Sequence, residues 1–206
     1  MTASCAKQQD KCGRPSHREN ILDAAEMLVA EQGAARLTFD ALVAQTGISK
    51  GGLLYHFANK DALVSAMLQR LVERNNNRRD ALREELTGQS HANLKSILLA
   101  AMSCQDESPA LHSAMLAAAA NNPDLLTPLR EETRTLFAEL DSSSLGAERA
   151  RILLFAVHGA RLFEQLGLCE QGSCDRERFV DALMDMVDSL AVKNSRSEST
   201  PELATS

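Results

Sequence analysis

Residues 37–60 read LTFDALVAQTGISKGGLLYHFANK. Thr38 stands where its hydroxyl can accept from the free N–H groups of a first helical turn. Phe39, Leu42 and Val43 then recur at i, i+3 and i+4, one apolar stripe on a short helix. Gly47 can take the positive φ that ends such a helix, and Ile48 turns back toward a core. Ser49 is the next N-cap, opening a second short helix from Lys50 to about His56. Asn59 caps a third, and Asp61 suits the positive end of its dipole. Two short helices joined by a tight, Gly-containing turn form a helix-turn-helix unit.

The content of the second helix separates this reading from that of a small helical corner with no ligand. Lys50, Gly51 and Gly52 make a poor helix start, since each Gly costs roughly 1 kcal/mol relative to Ala in a helix. Packing alone would rarely place two glycines there, but glycine lets a backbone come close to a neighbour, here phosphate or base. Tyr55, His56 and Lys60 supply donors within two turns. On their own, Tyr55 and His56 would be read as core and Lys60 as solvated surface. In a helix-turn-helix unit the second helix lies in the major groove. Lys50 is then placed to reach guanine O6 and N7.

The run TGISKGGLLYHFANKDAL, residues 46–63, resembles the signature of the TetR family of bacterial repressors, G-[IV]-S-x-G-x-[LI]-Y-x-H-F-x-x-K-x-x-L. One departure is visible: Leu54 replaces the first of two adjacent aromatics, and only Tyr55 is kept. Leu54 would meet a thymine methyl in that aromatic's place. The resemblance implies that Tyr55, His56, Lys60 and Thr38 contact phosphate. Phosphate contacts set register and affinity, while base contacts set sequence. The candidate DNA-binding set is Thr38, Ser49, Lys50, Gly51, Gly52, Leu54, Tyr55, His56 and Lys60. The resemblance is strong over the first third of the chain, and beyond it only the family's general layout is visible.

Composition sets wider bounds. The chain has 206 residues, 44% of them hydrophobic but only 3% aromatic, so its core must be built of Leu, Ala, Val and Met. Only 5 Pro and 10 Gly interrupt it, and β-branched runs are missing. The expected class is all-α, about nine helices, with an N-terminal three-helix DNA-binding domain and a C-terminal helical bundle. The net charge of −6 looks wrong for a DNA-binding protein. Residues 1–60, however, hold 7 Lys+Arg against 6 Asp+Glu, or +1, and residues 61–206 hold 15 against 22, or −7. Whole-chain charge says little when the binding face is small. The start of the chain has no apolar signal segment. The longest apolar run, Met115–Ala120, is far below the roughly 20 residues of a membrane span. The expectation is a cytoplasmic protein, with no membrane partner and with reduced cysteines.

Taken in order, residues 1–15 form a polar tail whose cations cluster with Arg18 at Lys7, Lys11 and Arg14. An arm reaching DNA and an ordinary disordered terminus both fit it. Residues 16–60 are the DNA-binding domain, whose first helix runs from about Ser16 to Gln32, with capping-box spacing between Ser16 and Glu19. Residues 61–87 form a connecting helix, very polar after Arg70, read as a solvated face with i,i+4 ion pairs. Residues 88–192 are the ligand-binding and dimerisation domain. Its helices are expected at 91–104, from Ser108-Pro109 to about Asn121, from Asn122 to Leu140 with Pro128 distorting the start, at 146–167 and at 175–192. Residues 193–206 read as a disordered tail.

The last two helices are the expected homodimer interface. One carries Leu153, Ala156, Gly159, Ala160, Phe163 and Gly167; the other carries Phe179, Ala182, Leu183, Met186, Val187 and Leu190. Paired across a two-fold axis they would make a four-helix bundle. A two-fold dimer would also set two recognition helices about 34–36 Å apart. The resemblance implies a small apolar effector bound among the middle helices. Candidates breaking the apolar stripes are Met102, Cys104, His112, Met115, Phe137, Phe155, His158 and Arg161. Such residues are also satisfied at dimer interfaces. Cys169 and Cys174 lack CxxC spacing, and the five histidines lack metal-ligand spacing. No cofactor or metal is expected, and no catalytic motif is present. The sequence therefore reads as a transcription regulator acting on double-stranded DNA, with repression implied by the resemblance. A dimer governed by a protein partner or redox state is the alternative.

Overall fold

A computed structural model describes residues 16–103, 120, 122–168 and 176–197. Among them are eight α-helices and no strand: α1 (His17–Gln32), α2 (Phe39–Thr46), α3 (Lys50–His56), α4 (Lys60–Glu85), α5 (Ala92–Met102), α6 (Thr127–Asp141), α7 (Ala147–Gln165) and α8 (Arg176–Ser197). Short 3-10 turns at Ala34–Arg36 and Pro123–Leu126 precede α2 and α6. All but Ala120 of the helix expected from Ser108 to Asn121 lies outside the described residues, as do the cationic part of the N-terminal tail and residues 198–206.

Local chemistry sets the N-terminal boundaries. Ser16, Thr38, Ser49 and Asn59 each accept from a backbone N–H three residues on, at 3.3, 3.1, 3.2 and 2.8 Å. Gly47 ends α2 in the left-handed region at φ 69°, where a side chain would be strained. Glu19 does not return the capping box from its side chain. Its carboxylate is drawn to Arg18 at 3.3 Å and to Arg70 at 3.6 Å.

Ile21, Leu22, Leu42, Leu53, Leu63 and Met67 close a first core among α1 to α4. A second core joins α5, α6, α7 and α8 through Leu98, Leu140, Leu154, Val157, Leu183 and Val187. Leu125, from the turn before α6, is buried in the first core rather than the second. Beside it, Asn122 donates to Asp61 at 2.8 Å. The C-terminal half therefore grips the N-terminal unit at a second point besides α4.

Three sequence expectations change. The polar half of α4 is a solvated face only on the side of Glu73, Asp80 and Glu84; its other side packs on α6. Arg79 is buried and pairs with Glu132 at 3.3 Å and Glu139 at 3.5 Å, both on α6. Arg83 reaches Glu139 at 3.2 Å, and Asn76 donates to Glu132 at 3.0 Å. Arg70 and Arg74 pair with Glu26 of α1, and Arg70 also with Asp23. Burial acts to lower the Arg70 pKa, but its bond to Asp23 and the nearby carboxylates raise it on balance. Second, Asn122 to Leu140 is not one helix. Pro128 has no N–H to donate to Asp124, so the chain makes a 3-10 turn first, with Thr127 N–H donating there instead. Third, α8 runs on to Ser197, past Val192, because no Gly or Pro interrupts the sequence before Pro201.

Candidate nucleic-acid interface

α2 and α3 cross at the Gly47 turn. Thr46 Oγ1 stiffens it, donating to the Leu42 carbonyl at 2.7 Å and accepting from Ile48 N–H at 3.2 Å. Leu53 and Phe57 anchor α3 inward, with 0% and 3% of their surface exposed. The remaining face of α3 turns out. Tyr55 is 85% exposed and Leu54 44% exposed, so neither is core. Ser49, Lys50, Gly51, Thr38 and Lys60 are also exposed, while His56 and Gly52 are half-buried. The Tyr55 and His56 rings meet edge to face at 5.2 Å.

The two glycines differ in what they do for the protein. A Cβ on Gly52 would lie 2.9 Å from Ile48 Cγ2 and 3.4 Å from the Ser49 cap oxygen. Packing inside the unit requires that glycine. A Cβ on Gly51 would meet nothing within 4 Å. No protein contact calls for glycine there, which leaves its outer side open to a close backbone approach.

The cations are held. Lys50 Nζ donates to Asp40 Oδ1 at 2.9 Å, tying the first turn of α3 to that of α2. Lys60 Nζ donates to the Ala34 carbonyl at 3.2 Å, beside the start of α2. Thr38 Oγ1 and Ser49 Oγ are both committed as caps. Asp40 and the Lys60–Ala34 bond were missed in the sequence. Only the folded turn reveals partners ten and 26 residues apart.

The candidate effector residues that are described lie on α5, α6 and α7. Met102 is buried in the second core. Phe137 is half-buried, Phe155 meets it edge to face at 5.9 Å, and Arg151 lies over the Phe137 ring. His158 keeps exposed surface on α7, and Arg161 is half-buried. Partial burial lowers the His158 pKa from its ordinary value, and the Arg161 charge lowers it further. Cys104, His112 and Met115, like Cys169 and Cys174, lie outside the described residues. Among the described residues no His, Cys, Asp and Glu group could hold a metal, and no helix is long and apolar enough to cross a membrane.

Ile152, Phe155, Leu162 and Phe163 of α7, with Leu166 at its C-cap, are exposed large apolar side chains, spaced to share one side. Met186 of α8 is exposed as well. Leu153 and Val157 of α7, with Leu183 and Val187 of α8, instead fill the second core. Leu153, Leu183 and Val187, expected at the interface, are thus turned inward.

A helix-turn-helix unit with an outward recognition helix, carried on a separate helical core, defines a regulator of the DNA-binding class. The profile described as "Bacterial regulatory proteins, tetR family" matches residues 21–67, and "Tetracyclin repressor-like, C-terminal domain" matches residues 92–188. The chain belongs to the TetR family. It is 38% identical over 61 residues to nucleoid occlusion factor SlmA of Aliivibrio fischeri, covering 29% of this chain and 31% of that protein. It is 38% identical over 56 residues to the HTH-type transcriptional regulator TtgR of Pseudomonas putida, covering 27% of each. The matches thus span under a third of these curated relatives. Among solved structures, multidrug binding protein EbrR complexed with imidazole aligns over 86% of this chain and 96% of its own, with TM-score 0.63 and 22% identity. A transcriptional regulator from Saccharomonospora viridis in complex with choline aligns over 83% and 95%, with TM-score 0.67 and 18% identity. These likenesses establish the shared fold.

Proposed function

We propose that this chain is a dimeric, one-component repressor that leaves a palindromic operator when a small organic effector binds its C-terminal helices. The observation that carries the reading is the outer face of α3. Leu54 and Tyr55 stand in solvent beside a glycine that no protein contact requires. Such a surface costs stability without serving the core, and a major-groove partner accounts for it. Residues 16–60 act as the reading head, 61–87 as the connector and 88–192 as the sensing and pairing domain.

The apolar side of α7 supports a second copy as partner, since single chains rarely leave such a stripe in water. A two-fold pair would bury it and present two reading heads. Coupling has a physical route. Leu125 sits in the core of the reading head and Asn122 holds Asp61, while the same segment leads into α6. An effector that moves α6 would therefore pull on the head as well as on α4, biasing its spacing by a differential affinity of a few kcal/mol. Similar folds are known with imidazole and choline bound. That favours a small organic molecule here, with an apolar body to suit the Leu, Met and Ala side chains of the second core.

A reporter placed behind the operator tests the reading. Expression should fall when the protein is supplied and recover with one member of a panel of small apolar and cationic organic molecules. Expression that rises with the protein would contradict repression. Repression relieved by no small molecule would favour a protein or redox signal.

A further inference from the structure

We propose that Asp40 is a specificity-determining residue, whose carboxylate holds Lys50 for base reading and away from the phosphate backbone. The inference rests on the DNA-binding reading above. Lys50 Nζ lies 2.9 Å from Asp40 Oδ1, and the pair bridges the first turns of α2 and α3. Both side chains keep more than half of their surface in water, so the pair adds little to the stability of the fold. Neither caps a helix, because Thr38 and Ser49 already do so.

What the pair fixes is the direction of the lysine. A free lysine is a flexible point charge that any nearby phosphate can hold. A phosphate contact carries no sequence information. Held by Asp40, Lys50 reaches a phosphate only by giving up its partner, and the carboxylate itself repels the backbone. The ammonium still has two donors to spare, enough to meet guanine O6 and N7. DNA that offers phosphates but no guanine at that step is therefore bound less well, while the operator keeps its contact. Lys60 is arranged differently: its partner is the neutral Ala34 carbonyl, which leaves its charge available to phosphate.

The test is equilibrium binding of the full chain to a mixed-sequence duplex across a salt series, for wild type, Asp40→Asn, Lys50→Ala and the double variant. Asp40→Asn should tighten binding several-fold and steepen the log–log salt slope by about 0.9, the equivalent of one more phosphate contact. Both changes should vanish when Lys50 is Ala. An equal gain in the Lys50→Ala background would overturn the proposal, because removing one negative charge would then explain everything. So would an unchanged Asp40→Asn variant that is folded by circular dichroism. Wild type that binds no duplex even at low salt would overturn the DNA-binding reading itself, a separate and recognisable failure.

Discussion

Gly52 lies so close to Ile48 that a Cβ built on it would come within 2.9 Å of the Ile48 Cγ2 methyl, whereas one built on Gly51 would meet nothing. Adjacent glycines in one helix thus answer to different demands. Gly51→Ala should raise thermal stability, by up to about 1 kcal/mol from helix propensity, while weakening DNA binding. Gly52→Ala should forfeit that gain, because the Ile48 methyl branches at Cβ and cannot swing away. Thermal melts and operator titrations of the two variants check this; equal stabilisation by both would contradict the packing argument.

Lys50→Ala should relax sequence preference, costing about 1–3 kcal/mol at one base step in each half-site. Binding to operators mutated singly at each position locates the step. A uniform loss on all sequences would assign Lys50 to the backbone instead.

Lys60→Ala should weaken binding to every duplex and make the salt slope shallower by about 0.9. The exposed bond to Ala34 should matter little to the melt. A salt titration of the variant decides it, and an unchanged slope would remove Lys60 from the phosphate contacts.

Glu132→Ala should destabilise the fold by about 1–3 kcal/mol. It strips the buried Arg79 of its nearer carboxylate and Asn76 of its acceptor, leaving Arg79 with Glu139 alone among the described carboxylates. Urea unfolding measures the loss. A change within error would mean that water already serves this cluster.

Phe163→Glu should leave helicity intact and yield a monomer by light scattering. The ring is 54% exposed in the single chain, so its removal opens no core cavity. A variant still dimeric would place the pairing surface elsewhere.

What could be read from the sequence was what is local. Thr38, Ser49 and Asn59 cap as expected because a hydroxyl or amide and an N–H three residues on lie within one turn. The Gly47 stop and the recognition helix followed from the same short range, and the family motif supplied the candidate contacts. The α4 network was misread because its partners, Glu132 and Glu139, lie 53 and 56 residues away from Arg79 and Arg83. Within α4 alone, its charges resemble a solvated face. Leu153 and Ile152 show a related limit. Both sit in an apolar helix, and only the fold reveals that the first faces the core and the second faces out. Asp40 went unremarked because its partner Lys50 lies across the Gly47 turn.

Selection of genomic fragments by the purified full chain, at about 150 mM salt where non-specific phosphate binding is weakened, bears most directly on the two-headed reading. An enriched inverted repeat with half-sites one helical turn, or a multiple of it, apart is the expected result. A folded, dimeric protein that enriches no sequence would contradict it.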